Sequence, residues 1–151
     1  MSLHTNAKRD LLDAIETGRP PGDRRLFEAF DALESLDPNF LVGTWRGGVF
    51  HHDHKLGRNL QRINWYGKRF NGIDDVEPLL IRTDSGNIES WTGFGLARLR
   101  EIRFRGKVST AMLYDNQPLI DHFRRVSADV VIGLADEKGQ PATYFFHLSR
   151  V

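Results

Sequence analysis

The chain has 151 residues, 40% of them hydrophobic, and 21 Lys and Arg against 20 Asp and Glu, for a formal net charge of +1. That length buries a sizeable core in one domain, and the balanced charge gives no reason to expect a nucleic-acid or strongly acidic partner. There is no cysteine, which excludes a disulfide scaffold, a thiol nucleophile and a zinc-finger site. No run approaches the roughly 20 apolar residues of a membrane span, and the N-terminus has no apolar signal region. A cytoplasmic protein without stable membrane insertion is the expectation.

The first 39 residues read as a helical segment packed on the remainder of the chain. Leu11, Leu12 and Ile15 share one face of a short helix that stops at Gly18-Arg19-Pro20-Pro21-Gly22. Leu26, Phe27, Phe30 and Leu33 keep helical spacing in a second helix, with Asp23 placed as its N-cap and Leu36-Asp37-Pro38 as its end. The pair is either a lid or plug, or an ordinary amphipathic capping hairpin. From residue 40 to 151 the pattern is that of strands. Phe40 to Phe50 is the first, bent at Gly47-Gly48. Residues 51–62 are polar and irregular. Asn64 to Phe70 is aromatic and strand-like, and Gly67 permits a bulge. Glu77 to Arg82 is another strand, followed by the turn Asp84-Ser85-Gly86-Asn87; Trp91 to Arg100 is ambiguous between strand and short helix. Ile102 to Tyr114, Leu119 to Val126, Val130 to Leu134 and Thr143 to Arg150 form four successive strands with short connections. That is an antiparallel meander, so the fold class is mainly β.

The segment Gly43-Thr44-Trp45-Arg46-Gly47, followed by Trp65-Tyr66-Gly67-Lys68-Arg69-Phe70, resembles the GXWXG domain. The run from Val108 to Val126, which contains Tyr114-Asp115-Asn116-Gln117-Pro118 and Asp121-His122-Phe123-Arg124-Arg125, resembles the uncharacterised bacterial domain that normally follows it. The likeness extends from about Leu33 to Val151. Two departures are a shorter stretch over residues 83–100 and the histidine-rich His51-His52-Asp53-His54. The resemblance brings no activity with it. It implies an antiparallel, lipocalin-like (calycin-type) β-barrel with N-terminal helices, and by analogy a lipophilic ligand in the barrel cavity. Fold alone does not establish that function.

Asp121-His122-Phe123-Arg124-Arg125 is the main candidate for chemistry. Strand residues alternate faces, so His122 and Arg124 share one side and Asp121, Phe123 and Arg125 the other. Which side faces inward is open, yet either choice places a positive or titratable group inside the barrel. A buried cation needs a partner, and Asp115, Asp121 or a ligand carboxylate or phosphate supplies one. In the functional reading Arg124 or Arg125, with His122 and Tyr114, holds an anionic head group. In the structural reading one arginine lies over Trp45 and closes the barrel end, a role for which Arg150 competes because lipocalin-like barrels often place a late-strand arginine there. Trp65-Tyr66-Gly67-Lys68-Arg69-Phe70 has the mix of rings and cations that grips single-stranded nucleic acid. The plainer reading makes Trp65 and Phe70 wall residues with the cations outward or at the rim.

His51-His52-Asp53-His54 has metal-binding residue types without a metal-site spacing, so a solvated loop is the simpler reading. Haem-binding barrels of the nitrobindin type also begin with Gly-x-Trp and use a strand histidine as proximal ligand, a part open to His122 or His147. Ser109 and Thr110 lie near His122 in the meander, but no nucleophile-elbow pattern surrounds them and no catalytic residue is assigned. The leading expectation is a non-enzymatic binder of a small lipophilic or amphiphilic molecule, a fatty acid or lipid, with no cofactor. Its contacts would come from Trp45, Trp65, Tyr66, Lys68, Tyr114, Asp121, His122, Arg124 and Arg125. The alternatives are a haem-binding or small-substrate enzyme of similar shape, and a structural or interaction module whose barrel is filled by its own side chains. A homodimer is compatible with all three.

Overall fold

The structure is a computed structural model that describes residues 2–50, 54–140 and 144–151. Helices α1 (Leu3–Thr17), α2 (Asp23–Ala32) and α3 (Pro38–Leu41) precede strand β1 (Gly43–Val49) and helix α4 (Lys55–Arg62). Strands β2 (Trp65–Gly72), β3 (Asp75–Arg82), β4 (Ile88–Ser90), β5 (Ala97–Phe104), β6 (Lys107–Tyr114), β7 (Leu119–Arg125), β8 (Val130–Glu137) and β9 (Tyr144–Arg150) complete the chain. All pairings are antiparallel, in the order β2-β1-β9-β8-β7-β6-β5-β3-β4, and a β2–β3 pairing closes the ring. Because β4 hangs on β3 outside the ring, the barrel has eight strands. Closure removes the open sheet edges that invite aggregation. Among the described residues no helix is long and apolar enough to cross a membrane.

Two hydrophobic cores share the barrel wall. Inside lie Trp45, Phe70, Val76, Leu99, Met112, Phe123, Val131, Phe146 and Leu148. Outside, Ile132, Leu134, Phe145 and Val126 pack under Leu11, Ala14, Leu26 and Phe30 of α1 and α2. The run Val130-Val131-Ile132-Gly133-Leu134-Ala135 is apolar without alternation because β8 is covered on both faces. The segment Glu34–Leu36 then wedges between the ends of β6 and β7. Arg125 N donates to the Glu34 carbonyl at 2.9 Å, and the Thr110 hydroxyl donates to the Leu36 carbonyl at 2.8 Å. The Ser109 hydroxyl donates to the Phe123 carbonyl at 2.8 Å and accepts from Leu36 N at 3.1 Å. Both hydroxyls therefore hold the wedge in place.

Several boundaries differ from the sequence expectation, each for a local reason. The first strand starts at Gly43 rather than Phe40, because Pro38 opens a single helical turn and Gly43, at φ +129°, makes the break from it. Residues 55–62 are helical: only Leu56 and Leu60 are large and apolar, too few to reveal a period, while His54 caps the N-terminus by accepting from Leu56 N at 3.1 Å. The long strand from Ile102 to Tyr114 is two strands joined at Arg105-Gly106, both at positive φ as a tight two-residue hairpin needs. Gly22, not Asp23, is the N-cap of α2, and Asp23 opens the helix, where a carboxylate suits its positive end.

The GXWXG motif has a direct steric reading. Trp45 is fully buried and its indole N–H donates to the Leu41 carbonyl at 2.7 Å. Across from it the backbone of Gly67 runs so close to β1 that an added Cβ would sit 1.9 Å from the Trp45 carbonyl oxygen. Gly47 is bare because the Trp65 ring occupies the space of a side chain, 2.1 Å from where a Cβ would be. Arg150 closes this end of the barrel. Its guanidinium lies 4.2 Å from the Trp45 ring centroid and donates to the Phe40 carbonyl at 3.0 Å. Neither Arg124 nor Arg125 takes that place, although Arg125 stacks nearby on Phe40 at 4.7 Å.

Candidate functional site

The opposite end of the barrel holds a buried polar group inside an apolar wall. On β7 the inward residues are Leu119, Asp121 and Phe123. On β2 a bulge at Tyr66-Gly67 shifts the alternation by one, so that Trp65 and then Lys68 and Phe70 face inward. Lys68 and Asp121 are each 2% exposed, and their Nζ and Oδ2 atoms are 3.2 Å apart. The Lys68 ammonium also donates to the Pro78 carbonyl at 3.1 Å and to the Tyr114 hydroxyl at 3.2 Å, which uses all three of its hydrogens. Tyr114 in turn is hydrogen-bonded to the Asp121 carboxylate. Around the ammonium stand the rings of Trp65, Tyr114 and Phe146, with centroids at 5.5, 5.5 and 5.2 Å.

Beside this trio is a cavity of about 30 Å³, walled by Leu79, Phe94, Ala135, Tyr144 and, from α4, Leu56 and Leu60. It is large enough for a water or two. Burial sets the protonation chemistry here. Loss of hydration pulls Lys68 below its ordinary value against the attraction of Asp121, and raises Asp121 against the attraction of Lys68. Burial also lifts the Tyr114 phenol well above its usual range, with the Asp121 charge adding to it.

Four of the residues singled out from sequence therefore meet: Trp65, Lys68, Tyr114 and Asp121. The others do not. Lys68 itself points inward, not outward or to the rim, because the bulge reverses its face. His122 and Arg124 lie on the outer wall beneath α2. His122 stacks on Phe104 with centroids 3.7 Å apart, and its Nε2 is 3.3 Å from Asp136. Arg124 lies 4.4 Å from the Phe30 centroid and donates to the Phe123 and Phe104 carbonyls at 3.1 and 2.9 Å. A head-group site built from Arg124, His122 and Tyr114 is thus excluded, since the wall separates them. Arg125 and Trp45 belong to the closed end, Tyr66 packs outside against Arg82 at 5.4 Å, and Asp115 sits exposed in a turn. Sequence reasoning missed Tyr144, Phe146, Leu56 and Leu60. The first two carry the inward parity of β9, but nothing in the sequence foretells that α4 covers the barrel mouth.

His147 is on the outer face as well, its ring resting on Gly48 and 4.9 Å from Phe50, so neither histidine considered for haem faces the interior. Burial, with the nearby Arg46 charge, pushes His147 down to about 4. The native state thus binds fewer protons than the unfolded chain between about pH 6.5 and 4, so the contribution is complete above the former and lost as pH falls toward the latter. The expected size is about 3 kcal/mol. It is read as the stability gap between the protein and His147→Phe in urea, which should change by that amount from pH 7.5 to 4.5; an unchanged gap refutes it. Among the described residues no three His, Cys, Asp or Glu side chains converge as metal ligands, and residues 51–53 of the histidine cluster lie outside the described residues.

Comparison with known proteins accords with this architecture. Residues 28–86 match the family described as GXWXG protein, and residues 95–150 match the domain of unknown function DUF4334. A crystal structure of a protein from Thermomonospora curvata is 48% identical, covering 97% of this chain and 99% of that one, with a TM-score of 0.94. No curated protein matches the chain.

Proposed function

The chain belongs to the family in which a GXWXG segment is followed by the DUF4334 domain, and on that footing we propose that it binds a small neutral amphiphile inside its barrel, polar end on Lys68, Asp121 and Tyr114. The observation that carries the reading is a fully buried ion pair beside a cavity with apolar walls. Such a pair is weak as a stabilising device, because desolvation offsets its attraction. It is well suited to orienting one polar group of a ligand whose remaining surface meets apolar walls. A carboxylate head would bring a like charge to Asp121, so a hydroxyl or carbonyl fits better than a fatty acid.

Entry requires α4 to move, since ligand pockets of a few hundred Å³ are usual and this cavity is far smaller. The helix touches the barrel mouth through Leu56 and Leu60, both only partly buried. Each stabilises closure by less than the roughly 1.5–3 kcal/mol of a fully buried leucine. Displacing the helix is therefore within reach of ligand binding. The cavity size supports one other reading, a barrel filled by its own side chains.

Octanol separates the two. Native mass spectrometry should find one octanol per chain, with a change in tryptophan emission from Trp65. Lys68→Met/Tyr114→Phe/Asp121→Leu should weaken binding roughly tenfold, the equivalent of about 1.4 kcal/mol. No binding of octanol selects the self-filled barrel, and equal binding by the triple variant removes the head-group assignment.

A further inference from the structure

From the ring cage and the acid beside Lys68 we infer that the site captures an apolar aldehyde covalently, as an imine on the Lys68 amine. The inference rests on the ligand-binding reading above and names the ligand's reacting group. Lys68 is placed for it in three respects. Among the described residues its Nζ is the one buried amine; Lys8, Lys55, Lys107 and Lys138 all reach solvent. An acid–base partner stands 3.2 Å away in Asp121 and a phenol hydroxyl 3.2 Å away in Tyr114. The cavity that adjoins them is lined almost wholly by apolar and aromatic side chains.

The chemistry closes on these groups without an oxidant, reductant or cofactor. The Lys68 ammonium passes a proton to the Asp121 carboxylate, leaving a neutral amine and a carboxylic acid. In a dry site the neutral pair is favoured relative to water, as the opposite shifts of the two groups accord with. The nitrogen lone pair attacks the aldehyde carbon, the N–C bond forms, and the carbonyl oxygen takes a proton from nitrogen to give a carbinolamine. Tyr114 is within reach to donate a hydrogen bond to that oxygen. Asp121 then protonates the hydroxyl, the C–O bond breaks, and water leaves. The product is an iminium on Lys68 paired with the Asp121 carboxylate. The rings of Trp65, Tyr114 and Phe146, which already surround the ammonium, stabilise that cation in the same way. Their exclusion of water protects the imine from hydrolysis.

The test uses the full chain with octanal and cyanoborohydride near pH 7, octanol serving as the matched ligand that cannot form an imine. Octanal held in the cavity meets the Lys68 amine at a high effective concentration, whereas the lysines that reach solvent meet only free aldehyde. Peptide mapping should therefore find the octyl adduct on Lys68 in more than about tenfold excess over any other lysine. Lys68→Arg should abolish that adduct, since a guanidinium forms no imine. If the variant fails to fold, the map of the unaltered protein decides alone. Octanol binding with adducts only on Lys8, Lys55, Lys107 or Lys138, or with none, overturns the imine and leaves the binding reading standing. Failure of octanol to bind overturns the binding reading and the imine with it.

Discussion

Asp121→Leu, made alone, will destabilise the protein by about 3–5 kcal/mol, because it strands the Lys68 ammonium inside the barrel without its counter-charge. Among the described residues the Pro78 carbonyl and the Tyr114 hydroxyl remain as its acceptors, and neither carries charge. The triple variant Lys68→Met/Tyr114→Phe/Asp121→Leu will behave differently. It removes the ammonium, the carboxylate and the phenol together, and the extra volume of leucine over aspartate extends toward the adjoining cavity of about 30 Å³. Replacing a buried ion pair by apolar groups of similar volume is often neutral or stabilising by about 1–4 kcal/mol. The Pro78 carbonyl loses its partner in the exchange, a cost of about 1–3 kcal/mol that sets the net change near zero. Urea unfolding of the two variants beside the parent measures both. A triple variant as unstable as the single one shows that the trio holds the barrel together, and the case for a ligand site there falls.

The second large effect is steric. Gly67→Ala places a Cβ 1.9 Å from the Trp45 carbonyl oxygen and 2.9 Å from its carbonyl carbon. Those are backbone atoms of the paired strand and have no rotamer to relax into. Relief requires β1 and β2 to separate at the Arg46–Gly67 register and the bulge to be lost with it. A loss above about 4 kcal/mol, or failure to fold, is expected. Gly72→Ala, at the end of the same strand with nothing within 4 Å of the added atom, is the control and should stay within about 1 kcal/mol of the parent. Comparable thermal unfolding of the two variants contradicts the close approach as the reason for glycine at position 67.

The sequence was most legible where local chemistry acts alone. Turn residues and apolar runs marked the strands from Leu119 onward, and the two tryptophans of the first two strands marked the barrel wall. It was least legible where a feature depends on a partner. Helix α4 has two large apolar residues, and their meaning appears only when the barrel mouth they cover is present. Arg105-Gly106 lacks the asparagine or aspartate that usually announces a two-residue hairpin, so the end of β5 from Ile102 and the whole of β6 read as one strand.

The ligand candidates divide along the same line. Alternation along β7 was plain in the sequence: Asp121 and Phe123 on one face, His122 and Arg124 on the other. It could not say which face is inside, because both are buried, one by the barrel and one by α1 and α2. Polarity discriminates faces only when one of them meets water. Lys68 shows the limit more sharply. Strict alternation from Trp65 puts it on the opposite side of the strand, and a bulge at Gly67 returns it to the interior. Sequence alone thus gave a mainly antiparallel set of strands with Trp45 and its flanking glycines in the first of them, since both depend on residue size and local backbone. The closed barrel was what the family resemblance implied. Tertiary structure alone decided that Lys68, Tyr114 and Asp121 meet, because their contact depends on ring closure, a bulge and a covering helix, none of which is a local property of the chain.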